Sequence, residues 1–311
     1  MDRIHDHEVD TSESVVRSLL AEYGSAWHDL PMHRLDSTGT TNSLWRIATG
    51  VDKPDAVVRL PRQPSSASST QMEHRLLPRL SSTALGAMVA TPNLIHAGEP
   101  CDRFPLPWTI TEWISGSDVW SERMTAAGDH RLAESLAVAV QTIRSLTDMP
   151  VSARTHGQRG GPFAGVVFRL QGWLDDPTWQ AKDLLDVAAV RRIVDQANEV
   201  GAEHDGAVFA HGDLLPGNLL VNARGRLSAI IDWGGAGLGD PAEDLVPAWS
   251  IFDATSRRHF RAAMEVDDAT WTRARTTALE QAVGGVLYYR PKRHPLGDVM
   301  AETLDRILTD G

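Results

Sequence analysis

Lysine is almost missing from this chain: of thirty basic residues only Lys53, Lys182 and Lys292 are lysines. None follows a glycine, so the G-x-x-x-x-G-K-[ST] phosphate loop is excluded. Cysteine occurs once, at Cys101, which rules out an internal disulfide and fits a reducing compartment. Met1 to Glu8 holds no apolar stretch of the signal-peptide kind and no run elsewhere approaches membrane-spanning length, so we expect a cytoplasmic protein with no membrane partner. Positive charge is also short: 30 basic against 41 acidic residues give a formal net charge of −11. That balance argues against nucleic acid as a partner and is compatible with a cationic small molecule, although acidity also serves solubility. His28 and His33 are five apart, off a common helical face, and no cysteine pair completes a metal set.

What is present is concentrated in one stretch. Phe209-Ala-His211-Gly-Asp213-Leu-Leu-Pro216-Gly-Asn218 offers a carboxylate and, five positions on, an amide; Ile230-Ile231-Asp232-Trp233 adds a second carboxylate after a short hairpin. Three hard-oxygen groups at the ends of apolar, strand-like runs suit phosphoryl transfer, in which a carboxylate takes the proton of an acceptor hydroxyl while Mg²⁺ neutralises a nucleoside triphosphate. D-x-x-x-x-N is the spacing of the protein-kinase catalytic loop, so we expect Asp213 as the base and Asn218 and Asp232 as metal ligands. A lone loop of Asp, Pro, Gly and Asn would read as a turn; the flanking His-Gly and Ile-Ile-Asp-Trp favour the chemical reading.

Together with Gly239-Asp240-Pro241-Ala-Glu-Asp244-Leu245, these residues closely resemble the aminoglycoside phosphotransferase family, relatives of protein kinases. The resemblance runs from about Thr38 to the C-terminal helix. It implies an α+β, two-lobed kinase-like fold: an antiparallel-sheet, nucleotide-binding lobe over residues 1–115 and a mainly helical lobe over 116–311 carrying the catalytic loop and substrate site. ATP or GTP would be the donor and an antibiotic, aminoglycoside or macrolide, the acceptor. A choline-like or sugar-like metabolite, or a catalytically silent nucleotide-binding protein, are the alternatives.

Thr11 to Tyr23 reads as a helix stopped by Gly24. Thr38-Gly39-Thr40-Thr41-Asn42 precedes a strand-like Ser43 to Ile47, where small hydroxylic residues let backbone N–H groups approach phosphate; an ordinary hairpin turn is the alternative. Kinase-like folds carry a lysine on the third strand, paired to a glutamate on the next helix. Here that strand is Val57-Val58-Arg59-Leu60, so we expect Arg59 to grip phosphate with Glu73 as its partner, unless Lys53 reaches in from the preceding turn. The family resemblance places the nucleobase at main-chain groups of Glu112, Trp113 and Ile114. It places the acceptor at Asp213 and at an insertion bearing Asp175, Asp176, Trp179 and Asp183.

Asp244 resembles the aspartate that braces the catalytic loop in kinase-like folds. Asp240-Pro241-Ala242-Glu243 reads as a helix-capping box. The run Gly234-Gly-Ala-Gly237-Leu-Gly239 fails the G-x-G-x-x-G frame, because Asp240 stands where the last glycine belongs, and reads as a flexible loop. Helical spacing recurs at Leu132, Leu136, Val140 and Ile143, at Val187, Val190, Ile193 and Ala197, and through Trp271 to Val286; Leu296 to Leu308 closes the chain.

Overall fold

The computed structural model describes residues 7–35, 39–51, 53–122, 126–155, 158–177, 185–200 and 206–310. The chain forms two compact units, one of Met1–Ser115 with Ile231–Gly234, the other of Gly116–Ile230 with Gly235–Gly311.

In the first unit, helix α1 (Glu13–Tyr23) precedes strands β1 (Met32–Arg34), β2 (Asn42–Ile47) and β3 (Ala56–Pro61). Helix α2 (Ala67–Leu80) follows, then β4 (Leu94–Gly98) and β5 (Trp108–Glu112). The strands make one antiparallel sheet in the order β1-β2-β3-β5-β4. Strand β2 buries Ser43, Trp45 and Ile47 in alternation, and the apolar members pack with Val58 and Leu60 of β3 and with Leu19 and Leu20 of α1. Each such fully buried aliphatic side chain contributes about 1.5–3 kcal/mol. Because side chains alternate along a strand, burying Val58 and Leu60 on the α1 face sends Arg59 to the other face. There α2 supplies Leu76, Leu77, Leu80 and a buried Glu73.

The second unit is mainly helical. Its elements are β6 (Ser117–Asp118), α3 (His130–Arg144), α4 (Phe163–Asp175), α5 (Val187–Val200), β7 (Val208–Ala210), β8 (Leu219–Val221), β9 (Leu227–Ile230), β10 (Gly237–Gly239), α6 (Ala254–Met264), α7 (Asp268–Tyr289) and α8 (Leu296–Leu308). Helix α7 is buried along most of its length, and a Cβ at its Gly285 would collide with Met300 of α8. Strands β6, β8 and β9 form a small antiparallel sheet, and β7 pairs with β10. The β8–β9 turn is built on Asn222, whose Oδ1 accepts from Arg224 N and Arg226 N while Gly225 takes a left-handed φ of 73°. Among the described residues no helix is long and apolar enough to cross a membrane.

Two local expectations are corrected. The glycine run is not a flexible loop: Gly237–Gly239 is strand β10, laddered to β7. The capping box is half present: Asp240 Oδ1 accepts from Ala242 N–H at 2.9 Å, but Glu243 is not a capping residue. The segment Glu243–Leu245 is a short 3₁₀ turn without a side-chain cap, and Glu243 is buried with its carboxylate accepting from Gln281 Nε2 at 3.1 Å.

Candidate active site

Strand β7 delivers the chain into His211-Gly212-Asp213 with both flanks held from below. The buried Asp244 carboxylate accepts from His211 N–H at 2.7 Å with one oxygen and from Gly212 N–H at 2.8 Å with the other. Gly212 sits at φ 80°, where a side chain is strained. The Asp213 N–H donates to His211 Nδ1 at 3.1 Å, which turns the Asp213 side chain out of the core. A 3₁₀ turn at Pro216–Asn218 then brings Asn218 back, its Nδ2 donating to Asp213 O at 2.8 Å and to Oδ2 at 3.2 Å. The amide nitrogen is thus spent on Asp213 and the amide oxygen is the end offered to a cation. Removing Asp244 would orphan two buried N–H groups, at about 1–3 kcal/mol each.

The structure adds residues that the sequence reading does not single out. Arg159 donates through Nη1 to Asp213 Oδ1, so that both carboxylate oxygens carry a donor. Asp213 is 25 % exposed and Arg159 50 %. The Asp213 charge holds the Arg159 guanidinium above its ordinary pKa, outweighing burial. Glu243 lies close by: burial pushes its carboxyl up to about 7, against the pull of Arg154 and Arg159. Neither arginine belongs to a periodic pattern or motif; the only local cue is Gly160-Gly161 beside Arg159.

Further candidate residues lie in the first unit, where Arg59, Glu73 and Asp232 form a triad. Arg59 donates from Nη1 to Glu73 Oε1 at 2.7 Å and from Nη2 to Asp232 Oδ1 at 2.8 Å. Glu73 Oε1 also accepts the Trp233 N–H at 2.9 Å, and Trp233 is fully buried. Burial opposes the charge on Arg59, but Glu73 and Asp232 outweigh it and raise its pKa. Burial likewise lifts Glu73, to about 7, against the pull of Arg59. Asp232 is 36 % exposed and adopts φ 64°. Left-handed backbone at a non-glycine residue is uncommon and gathers at functional sites. Gly234 lets this segment close on α2, since a Cβ there would stand 2.9 Å from Ser69 Cβ. Lys53 is exposed on the turn before β3 and takes no part in the triad.

Gly39, Thr40 and Thr41 lead into β2, whose first residue Asn42 pairs with Pro61; Thr38 lies outside the described residues. At the end of β5, Glu112 N–H donates to Asn93 O at 3.0 Å and Trp113 N–H to Asp55 O at 2.6 Å. Of these three candidate nucleobase contacts, Ile114 is the one whose N–H has no partner among the described residues. Arg46 stacks over the Trp113 ring at 4.4 Å. Asp175 closes α4 as an exposed ion pair with Arg191 at 2.8 Å, with Asp176 next to it; Trp179 and Asp183 lie outside the described residues.

Among the described residues no three His, Cys, Asp or Glu side chains cluster as a metal site. Magnesium asks for less, one or two protein oxygens beside substrate phosphates and water. Asn218 in the second unit and Asp232 in the first each carry a hard oxygen of the kind that demand calls for.

The sequence profile described as the phosphotransferase enzyme family matches residues 33–279. No curated protein matches the chain. Among solved structures it is similar to the GDP and kanamycin complex of APH(2")-IIIa, at 20 % identity over 94 % of this chain and 96 % of that one, TM-score 0.71. It is also similar to the macrolide 2'-phosphotransferase MphH from Brachybacterium faecium, at 19 % identity over 94 % and 98 % of the two chains, TM-score 0.63. A third is the ADP-bound aminoglycoside phosphotransferase APH(2'')-Ib, at 15 % identity over 96 % and 97 %, TM-score 0.59. These likenesses carry the α+β kinase-like fold, and the profile match, which spans most of the chain, carries the family. The chain belongs to the phosphotransferase enzyme family, the aminoglycoside phosphotransferase group that its His-Gly-Asp loop resembles, and is a phosphotransferase.

Proposed function

We propose that this enzyme transfers the γ-phosphate of ATP or GTP to a hydroxyl of a small molecule, an antibiotic of the aminoglycoside or macrolide class. The observation that carries the reading is the support of Asp213: two N–H bonds to Asp244 beneath its loop and the Asn218 amide on its carboxylate. A carboxylate held this way is oriented before substrate arrives, which is what a general base needs. Asp213 accepts the proton of the acceptor hydroxyl, which takes the place of Arg159 on Oδ1. Asn218 and Asp232 are the residues that would hold Mg²⁺, which would offset the charge of the polyphosphate. Arg59, kept charged by Glu73, contacts donor phosphate, with the backbone of residues 38–42 alongside. Main-chain groups of Glu112 to Ile114 hold the nucleobase. The net charge of −11 favours a cationic acceptor.

The test is release of nucleoside diphosphate by the purified protein with ATP and with GTP, against aminoglycosides, macrolides and small hydroxylated metabolites. Acceptor-dependent release with an antibiotic is the expected result. Release with metabolites alone would replace the acceptor class, and nucleotide binding without release under any condition would contradict the reading.

A further inference from the structure

Arg154, named above only for its charge near Glu243, sends its side chain across the floor of the Asp213 loop. Its backbone N–H donates to Leu238 O at 2.9 Å, and Leu238 N–H donates to Ser152 O at 3.1 Å. Residues 152–154 thereby line the edge of β10, with Ala153 bridging Leu238 in parallel. From there the guanidinium reaches back over glycine. A Cβ at Gly237 would stand 2.8 Å from Nε and one at Gly239 3.2 Å from Cδ, while Cβ atoms at Gly160 and Gly212 would collide with Nη1 and Nη2. Gly160 and Gly212 need their left-handed φ of 65° and 80° in any case. Gly237 has no such requirement, so its missing side chain is accounted for by the arginine above it.

Nη2 donates to the Gly235 carbonyl and to the Ala210 carbonyl at 3.5 Å. Ala210 opens the His-Gly-Asp turn, and a Cβ at Gly235 would lie 3.6 Å from Asp213 Cβ. The guanidinium therefore ties together the two backbone segments that flank Asp213. We propose that Arg154 is a positioning residue for phosphoryl transfer, fixing the placement of Asp213 by cross-linking the Ala210 and Gly235 carbonyls. This inference rests on the reading of Asp213 as the base.

The experiment compares turnover and donor KM of wild type, Arg154→Ala, Arg154→Lys, Gly237→Ala and Asp213→Ala, with kanamycin, a macrolide and water as acceptors. A displacement near 1 Å at a catalytic group costs about 10²-fold in rate. That fall in kcat is expected for Arg154→Ala and Gly237→Ala, with donor KM unchanged. Guanidinium ion at low concentration should restore part of the turnover of Arg154→Ala and none of that of Asp213→Ala. Should Arg154→Ala fail to fold, Arg154→Lys keeps charge and bulk and carries the same test, because one ammonium does not reproduce the planar fork. Wild-type kcat in a folded Arg154 variant beside an inactive Asp213→Ala overturns the inference alone. So does a loss that guanidinium does not rescue and that tracks a lowered thermal midpoint. Full turnover in Asp213→Ala overturns the base assignment and this inference together.

Discussion

Replacing Glu73 by alanine removes the acceptor shared by Arg59 and the Trp233 N–H, both buried. Breaking a buried ion pair from one side costs about 3–5 kcal/mol, because the remaining charge loses its counter-ion. Arg59 keeps Asp232 at 2.8 Å, so the lower end applies to the charge; the orphaned Trp233 N–H adds about 1–3 kcal/mol. A loss of about 4 kcal/mol is expected for Glu73→Ala. The double variant Arg59→Met, Glu73→Leu leaves no buried charge behind and should regain part of the loss, short of wild type because Trp233 still lacks an acceptor. Urea unfolding of the full chain followed by tryptophan fluorescence reads all three. Arg59→Lys should raise donor KM, since an ammonium cannot hold Glu73 and Asp232 through two arms of one plane, whereas Lys53→Ala should leave donor KM unchanged. Glu73→Ala within about 0.5 kcal/mol of wild type, the range of an ordinary surface change, would refute the triad as a structural unit. A crippled Lys53→Ala beside an active Arg59→Ala would refute Arg59 as the phosphate contact.

The remaining predictions concern protons and metal. Glu243 titrates near 7 in the folded protein against an ordinary value of 4.5, so it binds more protons folded than unfolded between those limits. Its contribution to stability is present below 4.5 and is lost as pH rises through 7. Glu243→Gln should therefore flatten the pH dependence of stability across that window by on the order of 3 kcal/mol, and urea midpoints at pH 5 and pH 8 that move alike in variant and wild type would contradict this. Asp232→Asn and Asn218→Ala should each weaken Mg²⁺-dependent nucleotide affinity, measured by calorimetry with and without the ion; unchanged affinity in both would put the metal elsewhere.

The His-Gly-Asp loop was legible because its geometry is local: an Asp, an Asn five residues on and a His-Gly before them are neighbours in sequence and stay neighbours in the fold. Pairing Arg59 with Glu73 followed from the third-strand cation and helix glutamate of kinase-like folds and from the missing lysine, and strand alternation is what turns Arg59 toward α2 in the fold. Where the reading went astray, distant packing decided. The run from Gly234 to Gly239 looks flexible by composition, but its glycines at 237 and 239 make room for Arg154 and for the Gly160 carbonyl. Glu243 has the right offset for a capping box, yet it is buried beside Gln281, Arg154 and Arg159, all distant in sequence. Strand β4 is masked by His96 and by Gly98, whose Cβ position is filled by the Trp108 ring. Helix α4 did carry a readable signal, Phe163, Val166, Val167, Leu170 and Leu174 at helical spacing, hidden by the glycines between them.

The central claim, that Asp213 is the base of a phosphoryl transfer, is tested most directly by one comparison. Wild type and Asp213→Ala are titrated with nucleotide and Mg²⁺ by calorimetry and assayed for diphosphate release with the acceptor that wild type uses. The account predicts equal nucleotide affinity and a turnover lower by about 10²–10⁴-fold in the variant. Turnover near that of wild type, with nucleotide still bound, would contradict it.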